Sequence, residues 1–134
     1  KECLGVGELA KAVRVLGKKK YLFWQKKGAI ISDLWRIITQ YEYPAAVEWQ
    51  GIFYEDEDED NGHYSVVTKV DRKKGFLRLA DPYSEFAGLD RKIKIKDFEK
   101  RWWDINEVKD KKVMFVVTPK DETWPKKLGM TRKD

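Results

Sequence analysis

Hydrophobic positions divide the chain into a helical first third and a strand-rich remainder. Apolar residues recur at three- and four-residue spacing over residues 6–16, and Gly17 follows them as a stop. The same spacing returns over residues 30–41, before Pro44. Between these segments, the aromatic run at residues 21–24 is typical of a short buried strand. The pattern therefore predicts two amphipathic helices with one strand between them.

Strand patterns dominate from residue 45 onward. Strands are predicted at residues 45–50, 63–70, 76–80, 92–95 and 113–117, a turn at 71–75, a loop at 82–89 and one or two helical turns at 97–103. The second of these strands alternates regularly, which predicts one shared face for Tyr64, Val66, Thr68 and Val70. Helices followed by strands predict an α+β domain, with N-terminal helices packed on a mostly antiparallel sheet.

The size of the chain fits one domain. With 134 residues, 42% of them hydrophobic, the chain can bury a core and is not a disordered chain. We predict a single domain over residues 1–118 and a C-terminal arm or tail over residues 119–134. No apolar run reaches the roughly 20 residues of a membrane-spanning helix, so no span is expected. The single cysteine excludes an internal disulfide and fits a reducing compartment, which favours a cytoplasmic location.

Charge is distributed unevenly along the chain. The net charge is +5, although six consecutive acidic residues occupy positions 55–60. The alternate carboxylates of this block resemble a calcium loop, but Asn61 and Val67 stand where an EF-hand needs Gly and Glu. A solvated acidic loop is therefore predicted, and no metal site. Aromatic residues interleave with basic residues at 20–24 and 101–103, but no nucleic-acid-binding signature accompanies them, so nucleic acid is not expected as a partner.

His63 and Asp81 are the candidate chemical pair. His63 is the only histidine and opens a predicted strand, while Asp81 ends the next strand before Pro82. A carboxylate beside an imidazole fixes its tautomer and stabilises its charged form, as a general base in acyl transfer requires. An odd-numbered turn between the strands places both residues on one face, whereas a four-residue turn separates them unless a bulge restores the register. The alternative is a surface ion pair without chemistry.

Three short motifs follow one another in this part of the chain: GHYSVV at residues 62–67, LADPY at residues 79–83, and Phe98 followed by Trp102-Trp103. Together they resemble the bacteriocin-processing, double-glycine leader peptidase-like family of papain-like cysteine peptidases. The helical segments at residues 7–17 and 34–44 are similar to helices of that family as well. The resemblance covers residues 5–118 and implies a papain-like fold in a bacterial thiol protease.

The resemblance also implies roles for particular residues. His63 would be the general base and Asp81 the orienting acid in hydrolysis of a peptide or amide bond, with a peptide or protein substrate and no cofactor. The family's nucleophile is a cysteine at the start of a long helix, with a glutamine upstream for the oxyanion hole. Only two residues precede Cys3, so that glutamine has no place before it. The nucleophile is therefore expected outside this chain, in a missing N-terminal segment or a partner chain that completes the site.

Alternatives remain for Cys3 and for the function. Cys3 precedes a predicted helix, whose N-terminus favours a thiolate, so a nucleophilic role stays open beside that of a small buried hydrophobe. Without a nucleophile of its own, the chain alone would be inactive. The alternative function is a catalytically inactive peptidase-like domain that binds a peptide or protein.

Overall fold

The computed structural model describes residues 10–13, 20–50, 62–80, 90–103 and 112–133, with the backbone alone at His63 and Asp90. Residues 10–13 are helical. The elements that follow are β1 (Tyr21–Lys26), α1 (Ile31–Thr39), β2 (Ala45–Gln50), β3 (Gly62–Asp71), β4 (Phe76–Ala80), β5 (Asp90–Lys94), α2 (Ile95–Arg101), β6 (Val113–Pro119), a 3-10 helix (Trp124–Leu128) and β7 (Thr131–Arg132). Helices combined with antiparallel strands confirm the predicted α+β class. Among the residues described, no helix has the length and hydropathy needed to cross a membrane.

The chain forms two compact units. The larger unit, Lys27–Met114, contains β2, β3, β4 and β5, each paired antiparallel with the next along the chain. Helix α1 packs against β2 and β3, and α2 packs against β2 and β5. The predicted strands 45–50 and 76–80 match β2 and β4 residue for residue. Most of the predicted helix at 6–16, the acidic block at 55–60 and the loop at 82–89 lie outside the described residues.

Helix α1 shows why its sequence is helical. Leu34 and Ile37 are fully buried three residues apart on one face, which anchors the helix to the sheet. In its first turn, the Asp33 carboxylate accepts a hydrogen bond from the backbone N–H of Ile30 at 3.0 Å. An acidic side chain at this end also complements the helix dipole. The predicted helix at residues 30–41 is therefore confirmed, ending slightly earlier at Thr39.

A four-residue turn joins β3 to β4. Residues 72–75 connect Asp71 to Phe76, which oppose each other as the first pair of the hairpin. Gly75 adopts a φ of 75°, which a side chain would disfavour, and its N–H donates to the Asp71 carbonyl at 2.9 Å. The Asp71 carboxylate accepts a further hydrogen bond from the Lys74 N–H at 2.9 Å. We call the register odd or even according to the sum of the two paired residue numbers. The pair Asp71–Phe76 makes the register odd, which on its own would place His63 and Asp81 on opposite faces of the hairpin.

A β-bulge at Thr68 then changes the register. Val70 opposes Leu77 on the turn side of the bulge, whereas Val67 opposes Leu79 beyond it. Strand β3 therefore uses one more residue than β4, and Thr68 is the extra residue. Thr68 is exposed, and its hydroxyl donates to the Arg78 carbonyl at 3.4 Å. The remainder of the hairpin consequently follows the even register.

The bulge overturns the prediction that Tyr64, Val66, Thr68 and Val70 share one face. Leu77 and Leu79 are two residues apart in β4 and lie on the same face, so their partners Val70 and Val67 share that face as well. Val67 and Val70 are buried, whereas Val66 is half-buried on the opposite face. The alternation in the sequence is regular, but the extra residue inverts it after Val67.

The smaller unit comprises Lys1–Lys26 and Phe115–Asp134, with strand order β6, β1, β7. The Trp24 Nε1–H donates to the Thr118 hydroxyl at 2.9 Å, and Phe23 stacks on Phe115 with ring centroids 5.1 Å apart. Residues 119–134, predicted as an arm or tail, contain the 3-10 helix and β7, which pairs antiparallel with β1. The predicted domain boundary after residue 118 stays a prediction.

Candidate active site

The predicted site residues differ in what the structure describes of them. His63 lies in β3, where its backbone pairs with that of Trp49 in β2. Asp81 and Cys3 lie outside the described residues. The predicted contact between His63 and Asp81, and the role of Cys3, therefore stay predictions. The described residues around His63 define the surroundings in which such a pair would work.

Trp49 and Ser65 form a buried hydrogen bond beside His63. The indole Nε1–H of Trp49 donates to the Ser65 hydroxyl at 2.8 Å, and Trp49 is 0% exposed. Ser65 opposes Val47, so it is a diagonal neighbour of Trp49 on one face of the sheet. A buried indole N–H needs an acceptor, and the hydroxyl supplies it. Ser65 thus orients the indole of Trp49, the residue whose backbone pairs with that of His63.

An aromatic cluster lies beneath this part of the sheet. Phe98 of α2 contacts Trp49 with ring centroids 5.4 Å apart, and it contacts Trp102 at 5.0 Å. Phe98 and Trp102 are four residues apart, so both meet on one side of the helical segment. The Trp102 Nε1–H donates to the Val113 carbonyl at 2.9 Å. Three fully buried rings therefore pack together at the end of β2 that pairs with His63.

Polar and cationic groups border the cluster. The Gln50 amide donates to the Trp103 carbonyl at 3.4 Å. The Arg91 guanidinium of β5 lies 5.9 Å from the Trp49 ring. Arg91 opposes Leu79, which places it on the same face of the sheet as Trp49. Among the described residues, no set of three or more His, Cys, Asp or Glu side chains could hold a metal ion.

Sequence patterns do not point to Trp49 or Ser65 as site residues. Both occupy predicted strands, but the connection between those strands runs from residue 51 to residue 61. A connection of this length does not fix the pairing register, whereas a two-residue turn would. The one signal in the sequence is the polarity of Ser65, because a serine hydroxyl that faces the core needs a hydrogen-bond partner there.

The bulge brings the His63 end of the hairpin into the register that the predicted pair requires. Val66 opposes Ala80, the last described pair, in the even register that a five-residue turn would have given. The condition that a bulge must offset a four-residue turn is thus met in the described residues.

Comparison of this chain with protein-family models, curated proteins and solved structures finds no match.

Proposed function

We propose that this chain is a papain-like cysteine peptidase domain of the bacteriocin-processing type, which hydrolyses a peptide or amide bond. A cysteine thiol attacks the carbonyl carbon, and His63 accepts the thiol proton and donates it to the amine that leaves as the C–N bond breaks. Water then hydrolyses the resulting thioester, which releases the acid and restores the thiol. Asp81 holds the imidazole ring in the orientation that this transfer needs. The thiol comes from a cysteine outside residues 1–134 or from Cys3.

The bulge at Thr68 is the observation that supports this proposal best. The proposal extends the even register by one pair beyond Ala80, which would set Asp81 opposite Ser65 and diagonal to His63. Bulges interrupt the ladder of hydrogen bonds and are over-represented beside active sites, where they redirect side chains. The sequence motifs around His63 and Asp81 give the chemical identity of the proposed pair, and the shared face is what the proposal adds by extending the register past Ala80.

A thiol-directed peptide probe tests the proposal. We expect an electrophilic peptide to label the wild-type protein at least about 100-fold faster than the His63→Ala variant, because a positioned base contributes that much to thiol activation. The matched control is Tyr64→Phe, which changes the next residue of β3 and keeps His63. The labelling rate and the labelled residue are read by mass spectrometry of the intact protein and its peptides.

The same measurement separates the two functions. Equal labelling rates at Cys3 in wild type and His63→Ala would contradict Cys3 as the nucleophile, because that thiol would then react without its base. In a protein that also carries the cysteine from outside residues 1–134, equal rates at that cysteine would contradict the peptidase proposal. That result would favour a peptidase-like domain that binds a peptide without turnover. An adduct within this chain can form only on Cys3, the single cysteine, so its position also shows whether that thiol is the nucleophile.

A further inference from the structure

Strand β5 has one side that no described strand covers. It is the terminal strand of the larger unit and pairs only with β4 among the described strands. In an antiparallel strand, successive residues point their backbone N–H and C=O groups alternately to one side and to the other. Every second residue of β5 therefore directs these groups to its open side.

The hydrogen bonds of β4 show which residues of β5 face inward. The Arg78 carbonyl accepts a hydrogen bond from the Thr68 hydroxyl of β3 at 3.4 Å, so this carbonyl points towards β3. The preceding residue, Leu77, therefore points its backbone groups towards β5, where it directly opposes Ile93. Ile93 thus uses its own N–H and C=O in the pairing with β4.

Lys92 and Lys94 flank Ile93 and point their backbone groups to the open side of β5. A second hydrogen bond agrees with this alternation, because the N–H of Ile95 donates to the Gly75 carbonyl at 2.9 Å on the inner side. Both lysine side chains are exposed. No described residue binds the backbone groups of Lys92 on the open side. This side of β5 therefore offers the N–H and C=O of Lys92 and the N–H of Lys94.

We propose that the open side of β5 binds an extended acidic segment of a polypeptide as an additional antiparallel strand. Such an addition draws its affinity from backbone hydrogen bonds and its specificity from alternate side chains. Acidic residues directly opposite Lys92 and Lys94 form favourable cross-strand pairs. Ile93 is buried on the other face of the sheet, so the residue opposite it is expected to be apolar. The partner sequence therefore alternates acidic with apolar residues.

The two lysines determine which strand can pair with β5. Lysines on an edge strand discourage pairing with basic strands, and the same electrostatics favour an acidic strand. A second copy of this chain is disfavoured, because a two-fold symmetric pairing centred on Lys92 sets this lysine opposite itself. The binding uses backbone groups of β5, so it does not depend on the proposed peptidase activity.

Peptides with N-methylated backbones test the proposed pairing. The probe is a fluorescently labelled eight-residue peptide in which glutamate alternates with valine, and fluorescence anisotropy measures its binding. One version carries N-methyl groups on its two central glutamates and the other on its two central valines, so both keep the same charge. The residues opposite Lys92 and Lys94 are glutamates, and their N–H groups point towards β5. We expect methylated glutamates to weaken binding at least about tenfold and methylated valines less than about threefold.

Substitutions at Lys92 test the same pairing from the side of the protein. Lys92→Pro removes the N–H on the open side and keeps the inward pairing with β4, because proline is tolerated on edge strands in this orientation. Lys92→Gln removes the same charge and keeps the N–H. We expect Lys92→Gln to weaken binding of the unmethylated probe about threefold and Lys92→Pro at least about tenfold. Lys96→Gln, at an exposed lysine outside β5, should change the affinity less than about twofold.

Three results would overturn the proposal. The first is a wild-type protein that does not bind the probe. The second is an equal effect of the two N-methylated peptides, or equal affinities of Lys92→Pro and Lys92→Gln, since attraction would then follow charge alone. The third is a wild-type dimer in sedimentation velocity that Lys92→Pro dissociates, which would assign the edge to a second copy. Thermal unfolding verifies that each variant is folded, and the methylated peptides decide the matter with the wild-type protein alone.

Discussion

Replacing Trp49 with alanine is expected to lower the free energy of unfolding by about 3–5 kcal/mol. The indole is 0% exposed, packs on Phe98 and donates its Nε1–H to Ser65, so its removal leaves a cavity in the core and takes away this hydrogen bond. Ser65→Ala should cost about 1–3 kcal/mol, because it leaves the buried indole N–H without this acceptor. Urea unfolding followed by tryptophan fluorescence and circular dichroism measures both changes.

Trp35 provides the matched control for the first prediction. It is a half-buried tryptophan of α1 whose ring lies 5.2 Å from the Arg72 guanidinium. Because part of its surface already contacts water, Trp35→Ala should cost well under half as much as Trp49→Ala. If Trp49→Ala lowers the free energy of unfolding no more than Trp35→Ala does, the result would contradict the contribution assigned to the buried Trp49 side chain.

Deleting Val67 is expected to lower the free energy of unfolding by about 1–3 kcal/mol, whereas deleting Thr68 should cost less than about 1 kcal/mol. Without Thr68, Val67–Leu79 and Lys69–Arg78 become consecutive pairs of a regular ladder, so β3 keeps its register with both β2 and β4. Without Val67, Thr68 takes the buried position opposite Leu79 and brings its hydroxyl into the core. Chemical unfolding of the two deletion variants measures both losses.

Thr68→Ala is the control for the deletions. It keeps the number of residues in β3 and removes the exposed hydroxyl that donates to the Arg78 carbonyl at 3.4 Å, so its cost should stay below about 1 kcal/mol. A loss for the Thr68 deletion as large as that for the Val67 deletion would contradict the position of the bulge at Thr68.

The limits of the strands could be predicted from the sequence because alternation and turn residues are local. Residues 45–50 and 76–80 begin and end where apolar alternation does, and Gly75 marks the turn before β4. The bulge could not be predicted in the same way. Val66 and Val67 are both apolar, so either can face the core, and the choice depends on β2, which is distant in sequence.

The surroundings of His63 depend on still longer-range pairing. The hydrogen bond from Trp49 to Ser65 and the contact from Trp49 to Phe98 join strands and a helix that only the folded chain brings together. A histidine and an aspartate can be recognised in the sequence as potential partners, but the register of the hairpin up to Ala80 depends on one extra residue, Thr68.

Nuclear magnetic resonance titration of His63 tests the central claim most directly. His63 is the only histidine, so its imidazole Cε1–H gives a single resonance whose pH dependence reports one pKa. A carboxylate nearby favours the imidazolium, so Asp81→Asn should lower the pKa of His63, while Asp71→Asn at the turn end of the same hairpin should leave it unchanged. The same pKa in wild type and Asp81→Asn would contradict the proposed pair.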